Sequence, residues 1–129
     1  MTTPPNLTFD QPDLAEQLDG LGDEQINHLT FGVIGMDADT LVQRYNALES
    51  QMAGLSPQRV LGFPLFTNVA PCMNNFLVAQ RFEDAQSQAH TLDATIDYVL
   101  TLRMRPTKVK LRLLASPAGK FRYVLVNRS

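Results

Sequence analysis

Cys72 is the only thiol in the chain. A lone cysteine packs as a small apolar side chain, acts as a nucleophile beside a base, senses oxidants as a thiolate, or carries a prosthetic group covalently. A nucleophile needs a histidine nearby. His28 lies in an acidic segment and His90 at a helix end, and neither stands in a recognisable signature, so hydrolysis is disfavoured and no zinc site is expected. Tyr45 and Glu49 form a second candidate pair. If the residues after Tyr45 are helical, the i,i+4 spacing puts both side chains on one face. Glu49 lies among Ala47, Leu48, Met52 and Ala53. Burial there disfavours a charged carboxylate, so Glu49 is expected to hold its proton at neutral pH. A phenol and a carboxylic acid would then be two O–H donors converging on one buried anion. The alternative, on spacing alone, is a tyrosine at a strand end and a solvated glutamate on a turn.

The elements that must position these residues are partly legible. Residues 13–25 read as one or two short helical turns broken by Gly20 and Gly22. Residues 31–36 and 41–45 read as strands joined by Asp37-Ala38-Asp39-Thr40, a hairpin ending at Tyr45. Asn46 is placed to cap a helix, with Glu49 three residues on. Ser56-Pro57 opens another short helix that ends near Gly62. Residues 63–75 lack a period. Val78, Phe82, Ala85 and Ala89 recur at helical spacing. Leu92, Ala94, Ile96, Tyr98, Leu100 and Leu102 then alternate with polar residues, the strongest periodic signal in the chain. Pro106 interrupts it, residues 107–115 alternate again, Ser116-Pro117-Ala118-Gly119 turns, and 121–126 form a last strand. Three consecutive strands make an antiparallel meander that the earlier hairpin can join.

The 129 residues suit one domain, and 44% hydrophobic with 19% charged residues is an ordinary globular balance. No apolar run approaches the ~20 residues of a membrane span. The first residues show no secretory signal, which with the single cysteine points to the cytoplasm. The net charge of −2 is lopsided: residues 1–43 hold eight acids and no Lys or Arg, and residues 99–129 hold eight bases and no acids. Base-reading motifs are absent, so no nucleic-acid partner is expected. Lys108, Lys110 and Arg112 alternate with Val109, Leu111 and Leu113 and read as the outer face of a strand that the acidic segment could cover.

The strings Tyr45-Asn46-Ala47-Leu48-Glu49, Val69-Ala70-Pro71-Cys72 and Met104-Arg105-Pro106-Thr107-Lys108-Val109-Lys110, with Gly62 between the first two, closely resemble the photoactive yellow protein family of bacterial blue-light receptors. The likeness runs without a gap from about residue 9 to Cys72, needs one extra residue near 86–90, and resumes to Arg128. It implies an α/β (α+β) PAS domain: a central antiparallel sheet of five or six strands flanked by short helices. Residues 1–28 would be an N-terminal helical cap and 29–129 the chromophore-binding core. It implies a sensory function and not an enzyme. Cys72 matches the cysteine that holds p-coumaric (4-hydroxycinnamic) acid as a thioester, with its backbone N–H on the thioester carbonyl. Tyr45 and Glu49 match the donors to the chromophore phenolate. Met104 matches a methionine on the covering loop, and Ile34, Val69, Ala70, Pro71, Leu100 and Val126 match pocket positions. Light would isomerise the chromophore, Glu49 would give up its proton, and the unpartnered carboxylate would loosen the cap. A monomer or weak dimer is expected, with a downstream signalling protein, no nucleic acid and no membrane. The alternative is a PAS module for another small ligand or a protein, with Cys72 free and redox-active.

Four departures from the family pattern bear on colour and recovery. Ala53 replaces a threonine that bonds the tyrosine, Leu55 an arginine near the phenolate, and Leu100 and Leu102 two aromatic residues of the pocket and gateway. The first two are expected to weaken stabilisation of the phenolate.

Overall fold

The computed structural model describes residues 7–101 and 106–128. Met104 and Leu102 lie outside the described residues. Two short helices, α1 (Leu14–Asp19) and α2 (Asp23–Ile26), precede the hairpin β1 (Gly32–Met36) and β2 (Val42–Tyr45). Then come α3 (Ala47–Ala53), α4 (Pro57–Val60), a π turn over Leu65–Val69, a 3-10 turn over Pro71–Met73, and α5 (Ala79–Ser87). The meander β3 (Leu92–Leu100), β4 (Thr107–Ala115) and β5 (Arg122–Asn127) closes the fold. The described strands form one sheet in the order β2-β1-β5-β4-β3, antiparallel throughout.

The side-chain period of two gives the sheet two apolar faces. On one, Ile34, Leu111, Leu113, Val124 and Val126 pack with Val60, Leu65, Phe66, Val69, Met73 and Phe82 of the helices and turns. On the other, Phe31, Val33, Leu114, Tyr123 and Leu125 receive Phe9, Leu14, Leu18 and Ile26 from the N-terminal segment. No described helix is long and apolar enough to cross a membrane.

The local signals hold where they rest on backbone chemistry. The Asp37 Oδ1 accepts the N–H groups of Asp39 and Leu41 at 2.9 and 3.0 Å, which fixes the hairpin turn. The Asn46 Oδ1 accepts the Glu49 N–H at 3.1 Å and caps α3. Two expectations need correction. Ala89 does not continue the buried face of α5: the helix ends at Ser87, and Ala89 is exposed with φ +52°. Arg112, by contrast, lies on the outer face that alternation assigns it, and the N-terminal segment covers that face. It is 4% exposed, pairs with Asp93 at 2.9 Å, and donates from Nη1 to the carbonyls of Phe9 and Gln11 at 2.8 and 2.7 Å, because the N-terminal segment crosses this face.

The second correction concerns charge. Among the described residues, the acid-rich and base-rich ends do not meet as a set of ion pairs. The cap is held by buried arginines that donate to its backbone: Arg44 Nη1 reaches the Leu18 carbonyl at 2.7 Å, and Nη2 the Leu21 carbonyl. The one carboxylate Arg44 engages, Asp23 at 3.1 Å, is 83% exposed. Exposed pairs contribute ~0–1 kcal/mol and are screened by salt, whereas buried carbonyls left without a donor cost about 1–3 kcal/mol each. Arg44→Met should therefore destabilise the protein by about 2–4 kcal/mol, and molar salt should release the cap far less. Limited proteolysis within residues 7–28 compares the two; release by salt alone to the same extent would contradict this account.

Tyr123 and Tyr45 set the alkaline limit. Burial, chiefly, pushes both phenols well above the ordinary value of 10.0. The folded state holds these protons more tightly than the unfolded chain. The stabilisation is thus complete below pH 10 and is lost as the pH rises above it, when the unfolded tyrosines ionise first. Each pH unit beyond that should lower the unfolding free energy by about 1.4 kcal/mol per tyrosine. Denaturant melts on either side of about pH 10 check this, and Tyr45→Phe should remove roughly half the slope.

Candidate functional site

The sequence candidates meet on the sheet face covered by α3, α4 and the two turns. Proline at the first position of the 3-10 turn fixes φ, and the turn places Cys72 half-buried against the apolar core. The turn is held from the edge of the sheet: Tyr98 on β3 donates its hydroxyl to the Cys72 carbonyl at 2.5 Å, and Asn75 Nδ2 donates to the Tyr98 oxygen at 2.6 Å. Val69, Ala70, Ile34, Leu100 and Val126 are all buried in the same core. Pro71 is exposed and does not line it.

Tyr45 ends β2 inside this core, 7% exposed. Its hydroxyl makes no hydrogen bond among the described residues, and Ala53, itself 3% exposed, offers none. Burial, reinforced by the Glu49 charge and opposed by Arg128, keeps Tyr45 a neutral phenol and a donor. Leu55 packs partly buried on the same cluster.

Glu49 is 1% exposed, as a buried acid should be, but it is not alone. Arg128, just beyond β5, donates from Nη1 to Oε1 at 2.7 Å and from Nη2 to Oε2 at 3.0 Å. This two-pronged geometry uses both oxygens as acceptors, the arrangement of an ionised carboxylate. Burial alone points to an acid without a charged partner; the structure instead sets a guanidinium from just beyond β5 against both carboxyl oxygens, where it can compensate a desolvated charge. Nor does Glu49 turn back to complete a capping box, since its carboxylate is taken by Arg128. Gly32 makes room for it. A Cβ on Gly32 would lie 2.1 Å from Glu49 Oε1 and 3.1 Å from its Cδ.

Asn46 ties this corner to the opposite face. Fully buried, it donates from Nδ2 to the carbonyls of Ile26 and Phe31 at 2.9 and 3.1 Å while its Oδ1 accepts from Val33 and Glu49. Asn27 adds a second tie, its Oδ1 accepting the Ala47 N–H at 2.7 Å. The first turn of α3 is therefore bonded to the last turn of the cap. Arg128 and Gly32 are the residues that sequence reasoning missed at this site. The only available signal was a basic residue at the end of an apolar strand and a glycine at the start of another.

A family model of the PAS fold matches residues 20–129. The chain is 34% identical over 122 residues to photoactive yellow protein of Rhodothalassium salexigens, covering 95% of this chain and 97% of that protein. It is 32% identical over 120 residues to photoactive yellow protein of Halochromatium salexigens, covering 93% and 95%. The photoactive yellow protein domain of the sensor histidine kinase Ppr from Rhodospirillum centenum superposes with a TM-score of 0.79 at 34% identity, over 88% of this chain and 98% of that one.

Proposed function

This chain belongs to the photoactive yellow protein family of PAS-fold sensors, and on that premise we propose that it is a blue-light receptor carrying p-coumaric acid as a thioester on Cys72. One observation carries the reading. The only thiol sits half-buried on a rigid turn against the same core that encloses Tyr45, a neutral hydroxyl with no hydrogen-bond partner among the described residues. An acyl acceptor and an unused donor facing one apolar core fit a group with an acyl end and an anionic oxygen.

When bound, the coumaroyl group supplies a double bond that light isomerises and a phenolic oxygen that carries charge. The protein's own residues do the rest. Cys72 is the acyl acceptor, and its thiol must stay reduced for that, which suits the cytoplasm. Tyr45 donates to the buried anion, which would be costly to desolvate without such a partner. Glu49 is the second donor and the residue whose proton moves. Loss of its proton while the isomerised group still fills the pocket shifts the first turn of α3, and Asn46 and Asn27 pass that shift to α2. The segment 1–28 is the element we propose to be released, since its described part docks through a small apolar cluster and a few buried bonds, contacts that can open locally before the main core does. The protein acts as a sensory module and not as an enzyme.

Addition of activated p-coumaric acid to the purified protein tests the reading. The expected result is a yellow protein whose Cys72 peptide gains one coumaroyl group. A colourless product in which the thiol stays free and reacts with peroxide would replace this function with that of a redox or ligand-sensing PAS module.

A further inference from the structure

We propose that Arg128 is the charge switch of this site: it pairs with Glu49 when no other anion is present and balances the ligand's phenolate when one is. The proposal rests on the chromophore reading above and assigns it a residue that the family resemblance left without a role.

The geometry supplies the first position. The Arg128 side chain is 12% exposed and that of Glu49 1%, and two parallel N–H···O bonds join them. The charged and titratable groups facing Glu49 are few. From β2 there is Tyr45, a neutral phenol. From β1 there is only the Gly32 backbone. Asn46 caps the helix without charge. From the end of β5 comes Arg128. The other buried arginines, Arg44 and Arg112, bond the N-terminal segment, and Arg59 of α4 is exposed. At the α3 end of the core Leu55 offers no cation. Among the described residues, the charge available to a buried anion beside Tyr45 and Glu49 is therefore that of Arg128.

The second position follows from charge balance. With Glu49 ionised and Arg128 protonated, the corner is neutral. A second anion placed there would leave two negative charges against one positive. Glu49 restores the balance by taking the proton that a phenol releases: the phenolic O–H bond breaks, the Glu49 O–H bond forms, and no charge enters or leaves. Arg128 then faces one negative charge in either arrangement. A guanidinium suits this exchange, because its planar fork engages Glu49 through two N–H groups and has further donors for a second oxygen. When Glu49 returns its proton, it finds its partner in place. The ionised state thus expected at the signalling step is a re-formed pair and not an isolated buried charge.

Two measurements decide it. In the ligand-free protein, the infrared difference between wild type and Glu49→Gln should show a carboxylate band and no protonated carboxyl band. Arg128→Met should bring the protonated band out. After acylation the dark wild-type protein should show the protonated band, and the acid midpoint of its visible absorbance should rise by roughly 1–3 pH units in Arg128→Met and partly recover in Arg128→Lys. A protonated Glu49 band in the ligand-free wild type would overturn the proposal, and this result needs no Arg128 variant to fold. So would an unchanged midpoint in both Arg128 variants. A protein that never acquires colour would overturn the chromophore reading and Arg128's second position with it, while the ligand-free spectra would still decide the first.

Discussion

A Cys72→Ser protein should fold, remain colourless after treatment with activated p-coumaric acid, and hold no adduct that survives denaturation. The substitution removes one polarisable atom from a half-buried side chain and leaves the backbone bond from Tyr98 untouched. Its effect on stability should stay within about 1 kcal/mol. Its effect on chemistry should be complete, because a serine hydroxyl is far less acidic than a thiol and no other thiol exists in the chain. Mass measurement of the denatured protein and a thermal melt separate the two effects. An adduct retained in Cys72→Ser would place the attachment elsewhere.

Gly32→Ala should be the most damaging change of a single methyl. The new Cβ would stand 2.1 Å from the Glu49 Oε1 and 3.3 Å from its Cβ, with Glu49 fully enclosed. The carboxylate cannot stay, and leaving breaks its pair with Arg128. Disrupting a buried ion pair costs about 3–5 kcal/mol, a large share of a small domain's stability. Relief should come from the partner and not the site of the lesion. Glu49→Ala in the same chain should recover part of the loss, a coupling that a double-mutant cycle reads directly. If Gly32→Ala melts like wild type, Glu49 is not confined as described.

What could be read in advance follows the range of the interaction. β3, β4 and β5 were visible because alternation reports which face of a strand is covered, and the β1–β2 turn because Asp37 bonds its own neighbours. The Asn46 cap is equally local. Alternation likewise places Arg112 on the outer face, while the backbone carbonyls it meets there belong to a chain segment more than a hundred residues away and leave no local signal. The Glu49–Arg128 pair joins positions 79 apart. Nothing around Glu49 distinguishes an acid buried with its proton from one buried against a guanidinium. Gly32 looked like an ordinary strand residue, since its role is the space it leaves. Ala89 was misplaced because helical spacing continues past the point where Gln88 and Ala89 turn the chain out of the helix. The covalent role proposed for Cys72 rests on resemblance, because a lone thiol carries no spacing to read.

In the sheet order β2-β1-β5-β4-β3, the central strand is also the last of the described strands along the chain. A ribosome therefore delivers both hairpins before the strand that joins them. A two-stranded ribbon alone is marginal in water, so neither half is expected to persist by itself. At about 5–20 residues per second, β1 waits on the order of several seconds for β5. Joining Gly32–Met36 to Arg122–Val126 then closes a long loop, a slow kind of step that favours assembly in one event. Arg128 emerges with that same strand. A nascent or truncated chain would consequently lack the sheet's middle and the site's cation together, and would hold Cys72 on an unfolded chain. On the function proposed above, acylation before synthesis passes β5 would meet a thiol with no pocket behind it, so attachment would be a late event in the life of the molecule.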